Sequence, residues 1–288
     1  MNERFGVDPE ACEGAVELRY LLEKFGPYHG RYVAQYPPSW FENIRKIIDA
    51  WPEIERARGY SVLRRAKERR AVVRDTTLPY DSHRNWLENV LKVARPSKGL
   101  DGAVVRRAWA GTFPSVDDLD LPPTSEELIA PRVSEYVRVS RALLAISPEL
   151  VLIDAYLDVT RKDQADVVCG LLQAARGGAC RHARIFAKAR EQRSLDDIPL
   201  ALARIKRQAQ FSGPLELMLV DDAWSNDELH ARYLLSIHGA IRLDRGFQVR
   251  AERKLVDVSV VGKAVHEGLI ERYLESRGDF QITTRFAA

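Results

Sequence analysis

The stretch LVLIDAYLDVTRKDQADVVCGLLQAARGGACRHARIFA, residues 150–187, decides the fold class. It begins with an apolar run that ends at Asp154, continues with helical spacing over 162–176 and closes with a second β-rich run at 182–187. A strand, a helix and a second strand in this order are typical of an α/β domain, in which helices cover a sheet. We therefore expect a strand–helix–strand unit here.

The same alternation continues on both sides of this stretch and predicts a C-terminal domain at 131–288. We expect a mixed sheet covered by helices there. The pair His238-Gly239 favours a hairpin turn between two of the strands. The other predicted strands are 214–220, 229–236 and 239–243, and the other predicted helices are 132–146, 194–210 and 261–276.

The N-terminal part, residues 1–130, has a different pattern of apolar and polar residues. Apolar residues keep helical spacing from Phe41 to Ile48, directly after Ser39, a residue type that often caps a helix. The stretch 111–132 holds four prolines and a run of acids, which disfavours a continuous helix or strand. We therefore expect a mainly helical N-terminal domain and a linker into the C-terminal one.

The charge of the chain is nearly balanced but unevenly distributed. Lys and Arg number 44 against 41 Asp and Glu, for a formal net charge of +3, which by itself does not indicate an anionic partner. Between residues 56 and 74, however, eight cations accompany a single acid, Glu68. Such a run predicts contact with a phosphate backbone, and a solvated helix face is the alternative. The candidate nucleic-acid-binding residues are Arg64, Arg65, Lys67, Arg69 and Arg70.

Several classes of protein are disfavoured by composition. The three cysteines are too few and too scattered for a disulfide framework or a metal site. No apolar run reaches the roughly 18 residues of a membrane span, and the acidic start does not resemble a signal peptide. We expect a cytoplasmic protein with no metal, no cofactor and no stable membrane insertion.

Two strand ends carry polar residues that could perform chemistry. Asp154 and Tyr156 follow an apolar strand, at the position where α/β sheets usually hold ligands. His230 and Arg232 are two apart on a predicted strand, so their side chains should share a face. An imidazole can attack phosphorus or move a proton, and a guanidinium can hold two phosphate oxygens. The alternative is structural, with Arg232 paired to Asp154, Asp221 or Asp222, His230 hydrogen-bonded at the sheet edge, and Asp154 capping the next segment.

The motif LHARYLLSIHGAIRLDRGF, residues 229–247, resembles the His-containing motif of the phospholipase D-like superfamily. The likeness is closest to the divergent branch found in the C-terminal domain of MIT-domain proteins and covers about residues 135–275. It implies a phospholipase D-like mixed sheet, with His230 as nucleophile and Arg232 as phosphate ligand. It also implies His238 as a further catalytic residue and Arg245 as a second phosphate ligand, with Asp154 and Tyr156 as orienting residues.

The chain departs from the catalytic members of the superfamily it resembles, which contain the motif His-x-Lys-x4-Asp. Arg232 stands at the Lys position and Ile237 at the Asp position, with His238 one residue further on. Arginine retains the charge but not the shape of lysine, which puts hydrolysis in doubt while leaving phosphate binding open. Active members need two motifs and this chain has one, so the resemblance implies a homodimer.

Two functions follow from these observations. The first is a nuclease-like or nucleic-acid-binding component of a bacterial system such as phage defence, which engages phosphodiesters. The second is a catalytically inactive scaffold that uses the degenerate domain to assemble with partner proteins. Binding to a membrane surface is disfavoured, because no basic amphipathic stretch with exposed large apolar residues is evident.

Overall fold

A computed structural model of the chain describes residues 3–75, 77–95, 99–121, 126–221, 231–250, 255–278 and 280–288. The chain divides into two compact units, Asn2–Thr124 and Ser125–Ala288. Each unit has its own β-sheet, of four strands in the first and eight in the second. The α/β class that the sequence predicts is therefore confirmed.

The N-terminal unit contains an all-parallel sheet with the strand order β3-β2-β1-β4. The expectation of a mainly helical domain was wrong in missing this sheet. Its strands are two to five residues long and almost wholly buried, so they show no alternation of apolar and polar residues. The strands are β1 (Glu3–Val7), β2 (Arg31–Ala34), β3 (Val72–Val73) and β4 (Gly102–Val104).

In the described part of this unit, four α-helices accompany the sheet. The helix α2 begins directly after Ser39, as its spacing predicts, although the Ser39 side chain makes no capping hydrogen bond. Trp40, Ile44 and Ile48 form its buried face and pack in the unit's core. The helices are α1 (Ala15–Glu23), α2 (Trp40–Asp49), α3 (Glu53–Glu68) and α4 (Trp86–Val93).

Two buried arginines of the N-terminal strands form ion pairs with residues that are distant in the sequence. The guanidinium of Arg4, on β1, pairs with the buried carboxylate of Asp75. The guanidinium of Arg31, on β2, pairs with Glu3 at an Nε–Oε2 distance of 2.9 Å. A buried charge needs such a partner, because an unpaired one costs several kcal/mol.

The C-terminal unit is built on a mixed sheet with the order β12-β8-β7-β6-β9-β10-β11-β5. The central strands β6, β7 and β8 are parallel, and every other neighbouring pair is antiparallel. The strands are β5 (Glu126–Ile129), β6 (Glu149–Ile153), β7 (His182–Lys188), β8 (Leu215–Asp221), β9 (Tyr233–Ser236), β10 (Gly239–Leu243), β11 (Val256–Val260) and β12 (Gln281–Ala287).

Helices cover both faces of this sheet. One face, which includes Val151 and Phe186, packs against Leu269 and Tyr273 from the C-terminal helical segment. The other face of the same strands is equally buried, and the helices α5, α6 and α7, which pack side by side, cover it. The helices are α5 (Val133–Ile146), α6 (Lys162–Ala175), α7 (Ile198–Ala209) and α8 (Lys263–Leu269), with a π-helical turn at Ile270–Leu274.

The predicted C-terminal elements correspond to observed ones, with several differences in extent. The strand predicted at 229–236 begins only at Tyr233, and residues 229–230 lie outside the described residues. The strand β5 lies inside the stretch predicted to be a linker, while Val116 and Leu119 of that stretch are buried in the N-terminal core. Within the described ranges, no helix is long and apolar enough to cross a membrane.

Glu216 on β8 joins three strands through its carboxylate, and this predicts a pH-dependent stability. Burial opposes its ionisation, but hydrogen bonds from Arg285 and His182 outweigh burial and hold the pKa of Glu216 below its ordinary value of 4.5. A carboxyl group with a lowered pKa contributes stability above its ordinary pKa and loses it as the pH falls. We expect Glu216→Gln to lower the free energy of unfolding near neutral pH by about 1 kcal/mol.

Chemical denaturation of the wild type and of Glu216→Gln over a range of pH measures this effect. The difference between the two proteins should shrink as the pH falls below the ordinary value of 4.5. Glu271→Gln, at an exposed position on the π-helical turn, is the matched control. A difference that stays constant into the acid range would contradict the assignment.

Candidate functional site

The parallel strands β6, β7 and β8 end at one edge of the C-terminal sheet, where α/β folds usually hold their ligands. Asp154 follows β6, and Lys188 and Asp221 are the last residues of β7 and β8. Asp154 and Lys188 are almost fully buried, whereas Asp221 is exposed. Asp154 is one of the predicted site residues, so the contacts of the side chains at this edge determine what it can do.

Asp154 is held by the backbone on both sides of its carboxylate. Its Oδ1 accepts a hydrogen bond from the Tyr156 backbone N–H at 3.0 Å, and its Oδ2 accepts one from the Phe247 backbone N–H at 3.1 Å. Burial raises the pKa of Asp154, and the two N–H groups and Arg232 only partly oppose that rise. Through these hydrogen bonds, the buried Asp154 carboxylate connects the turn after β6 to the loop at 246–248.

The loop that Asp154 holds can approach so closely only because residue 246 is glycine. Gly246 has a φ of +70°, and a Cβ at this position would overlap the Asp154 carboxylate. From the other side, the buried hydroxyl of Tyr136 lies 3.0 Å from the carbonyl oxygens of both Gly246 and Gln248. We call Asp154, Tyr156, Arg232, Gly246 and Phe247 the strand-end cluster.

Arg232 is engaged within the protein. Its Nη1 donates to the Asp244 carbonyl oxygen at 2.7 Å, and its Nε lies 3.5 Å from Oδ1 of Asp154. The guanidinium also stands over the ring of Tyr156, at 5.2 Å from the ring centroid. This is the ion pair that the sequence offers as the structural alternative. Because Arg232 precedes β9 rather than lying in it, the argument that a strand places it beside His230 does not apply.

The other predicted site residues do not all meet in the strand-end cluster. His230 lies outside the described residues. His238 is in the β9–β10 turn, which is at the far end of β9 from Arg232, and its backbone N–H donates to the Ser236 hydroxyl at 3.1 Å. Arg245 is half-buried beside Asp244, with 3.5 Å between Nε and Oδ2. The structure therefore separates His238 from Arg232 by the length of a strand.

The basic run forms the helix α3 and its C-terminal end. Arg64, Arg65 and Lys67 are exposed, and Arg69 follows the helix and reaches the Leu22 carbonyl oxygen at 3.4 Å. Arg70 lies beyond the end of the helix and has a left-handed backbone conformation, with a φ of +54°. Among the described residues, Arg65, Lys67 and Arg70 pair with no carboxylate, and the Arg64–Glu68 contact is long, at 3.8 Å.

Two grooves flank α3, and cations line both of them. A cavity of about 230 Å³ between α2 and α3 is bordered by Arg45, Arg64 and Lys67 together with Phe41 and Tyr60. A cavity of about 400 Å³ between α1 and α3 is bordered by Arg19, Arg58 and Arg65. Residues 60, 64 and 67 share one side of the helix, and residues 58 and 65 share another, because 3.6 residues make one turn.

Sequence reasoning missed Tyr136, which contacts the strand-end cluster, and Lys188, a buried charge at the same end of the sheet. Tyr136 lies on α5, 110 positions from its partner Gly246, and the partner is a backbone carbonyl, so no pattern in the sequence signals the contact. Lys188 is a charged residue at the end of an apolar strand, which is a signal comparable to that of Asp154. In the described part of the chain, no group of three His, Cys, Asp or Glu side chains is placed to hold a metal ion.

The fold and these features define a two-unit α/β protein with a basic helix in one unit and a closed strand-end cluster in the other. No protein-family model and no curated protein matches the chain. Among solved structures, the chain is similar to the archaeal chromatin protein TrmBL2, whose structure is described as showing a novel mode of DNA binding. The identity is 11% over 86% of this chain and 72% of that chain, with a TM-score of 0.31, so the functional argument comes from the residues themselves.

Proposed function

We propose that the protein binds nucleic acid, through contacts between the phosphate backbone and the cations of α3. The observation that carries the proposal is the row of exposed cations on α3 that pair with no carboxylate among the described residues, Arg65 and Lys67 above all. Surface cations normally stand among acids of similar number, whereas between residues 56 and 74 eight cations accompany a single acid, Glu68. A phosphodiester chain supplies the missing negative charge at regular spacing.

The grooves beside α3 fit this role. At about 1.5 Å of rise per residue, Arg64 and Lys67 lie about 4.5 Å apart along the helix axis. Arg58 and Arg65 lie about 10.5 Å apart along it, so each row presents two cations to a phosphate backbone. Phe41 and Tyr60 border the same groove as Arg45, Arg64 and Lys67, which combines positive charge with aromatic surface. That combination is typical of surfaces that bind nucleic acid without reading its sequence. The contact is therefore proposed to be independent of sequence.

Fluorescence anisotropy of labelled DNA and RNA oligonucleotides, titrated with the full-length chain, tests this proposal. If four cations neutralise phosphates, affinity should fall about 100-fold between about 50 mM and 200 mM salt. The logarithm of the association constant should decrease linearly with the logarithm of the salt concentration. The absence of binding at the lower salt concentration, or an affinity that does not change with salt, would contradict the proposal.

For the C-terminal unit we propose a phospholipase D-like domain in which the strand-end cluster is structural. The support is the engagement of Arg232 by Asp154, the Asp244 carbonyl and the Tyr156 ring. The same observation favours a second function, a scaffold that assembles with partner proteins. The homodimer implied by the single motif stays a prediction. Light scattering coupled to size-exclusion chromatography measures the oligomeric state.

Replacing Arg232 distinguishes a structural role from phosphate binding. We expect Arg232→Ala to lower the free energy of unfolding by about 2 kcal/mol, because a charge-assisted hydrogen bond is lost and Asp154 stays buried without its cation. Nucleic-acid affinity should change by less than about twofold, equivalent to less than about 0.5 kcal/mol. Calorimetric unfolding and fluorescence anisotropy on the same preparation measure the two quantities.

Arg242→Ala, at an exposed position on β10, is the control for the loss of one surface charge. It should leave both stability and affinity near the wild-type values. An Arg232→Ala protein that unfolds like the wild type and binds nucleic acid weakly would instead identify Arg232 as a phosphate ligand. That result would restore the nuclease-like interpretation, and cleavage assays with His230→Ala would then separate binding from hydrolysis.

A further inference from the structure

The N-terminal sheet has a crevice where its strand order reverses. The chain proceeds from β1 to β2 and β3 on one side and then places β4 on the other side of β1. The loops after β1 and β4 therefore leave in opposite directions, which opens a crevice at the carboxyl ends of parallel strands. A cavity of about 270 Å³ lies there, bordered by Asp8, Glu10, Asn43, Lys46, Tyr80 and Arg106.

One wall of this N-terminal crevice is rigid. Nε and Nη2 of Arg106 donate to the two oxygens of Asp8 at 2.7 and 3.0 Å, and Nη1 contacts Glu10. The guanidinium stands over the Trp109 ring at 4.0 Å from the centroid. The Asp8 backbone N–H donates to the Val104 carbonyl oxygen at 2.9 Å, which joins the end of β1 to the end of β4. A ligand would thus meet a preformed surface, which lowers the entropic cost of binding.

The other polar groups of the crevice are unengaged. Within the described ranges, the Asn43 amide, the Lys46 ammonium and the Tyr80 hydroxyl make no hydrogen bond or ion pair with another side chain or with the backbone. The ring of Tyr80 is fixed edge-on against Tyr36, with 5.1 Å between centroids. The nearby Trp86 indole is fixed by its N–H, which donates to the Tyr36 carbonyl oxygen at 2.9 Å. The crevice thus combines free hydrogen-bonding groups with two immobile aromatic rings.

The charges of the crevice restrict what it can bind. Asp8 and Glu10 are balanced by Arg106 and Lys46, so neither a simple cation nor a polyanion fits. Lys46 is the one cation of the crevice that has no carboxylate partner within the described residues, which leaves room for a single anionic group. The ligand must otherwise be neutral, carry hydroxyl donors for the carboxylates and offer a flat ring to the aromatic side chains.

We propose that the N-terminal crevice binds a nucleoside monophosphate. The Lys46 ammonium would pair with the phosphate, and the Glu10 carboxylate would accept hydrogen bonds from the ribose hydroxyls. The rings of Tyr80 and Trp86 would contact the base. A carboxylate on the ribose is a recurrent feature of nucleotide sites in parallel sheets. The volume of about 270 Å³ suits one nucleotide rather than a dinucleotide. The site is separate from the α3 rows and does not depend on them.

Isothermal titration calorimetry of the full-length chain with AMP, GMP, CMP and UMP tests the proposal. At least one of them should bind, and ribose 5-phosphate and the matching nucleoside should each bind more weakly. Lys46→Gln should weaken binding of the monophosphate about tenfold, which is about 1.4 kcal/mol, and leave binding of the nucleoside unchanged. Lys92→Gln is the matched control, because Lys92 is an exposed cation on α4 that borders neither the crevice nor the grooves beside α3.

The proposal is overturned if none of the four nucleotides releases or absorbs heat at about 1 mM, a concentration that detects even millimolar affinity. It is equally overturned if Lys46→Gln and Lys92→Gln weaken binding to the same degree. Nucleotide binding should persist in a variant of α3 that has lost its affinity for oligonucleotides. The proposal for the crevice and the proposal for the nucleic-acid interface can therefore be contradicted independently of each other.

Discussion

A Gly246→Ala variant should lose about 3 kcal/mol of stability, although the change adds a single methyl group. Residues other than glycine pay about 1–2 kcal/mol for a left-handed backbone conformation, and Gly246 has a φ of +70°. The added Cβ would also overlap Oδ2 of Asp154, so the carboxylate must move away from the Phe247 N–H, from which it accepts a hydrogen bond at 3.1 Å. Leaving a buried N–H without an acceptor costs a further 1–3 kcal/mol, approximately.

Differential scanning calorimetry of the full-length chain measures this loss, and the two units can unfold in separate transitions. We expect the transition of the C-terminal unit to move to lower temperature and that of the N-terminal unit to stay. Gly268→Ala is the matched control, because Gly268 lies in α8 with open space around its Cα. Alanine in place of a helical glycine should raise stability by about 0.5–1 kcal/mol. A Gly246→Ala protein as stable as the wild type would show that Asp154 does not hold the loop.

The sequence predicted the central C-terminal strands well, because apolar residues predominate in β6, β7 and β8. β6 and β7 also stand between helical segments, and parallel strands that are buried on both faces are typically rich in apolar residues. The edge strands β5 and β12 were not predicted, and neither was β11, which lies between β10 and β5. They mix polar and apolar residues, as Gln281–Ala287 does, and what makes them strands is a neighbour far away in the sequence.

The N-terminal sheet could not be predicted for a related reason. Arg4 and Arg31 place charges inside short strands, where a pattern of apolar residues would be expected. Their partners, Asp75 for Arg4 and Glu3 for Arg31, become neighbours only after the chain has folded. Local composition therefore indicates helices between loops, while the sheet depends on ion pairs of long sequence separation.

The candidate site shows the same division between local and distant information. The sequence identified Asp154 and Arg232, because a charged residue beside an apolar strand is a local signal. It offered the ion pair between them only as an alternative, since the choice depends on the Gly246 loop and on a backbone carbonyl at Asp244. For α3 the sequence supplied the cations, and the structure adds which of them lack acidic partners among the described residues.

Removing three of those cations should weaken nucleic-acid binding strongly. We expect the variant Arg64→Gln, Arg65→Gln, Lys67→Gln to bind oligonucleotides roughly 10- to 100-fold more weakly than the wild type at low salt. The slope of the logarithm of affinity against the logarithm of salt should fall by about 2–3, because each lost phosphate contact removes about one unit. All three side chains are exposed, and glutamine is a good helix former, so α3 should stay folded.

A second triple variant, Arg204→Gln, Lys206→Gln, Arg207→Gln on α7, makes the same change in net charge in the other unit. Fluorescence anisotropy across a salt series, with circular dichroism to verify folding, compares the two variants with the wild type. The α7 variant should retain the wild-type slope, since general attraction between a protein and a polyanion is screened within about 10 Å at 0.1 M salt. Equal losses in both variants would mean that net charge, rather than the rows on α3, determines binding.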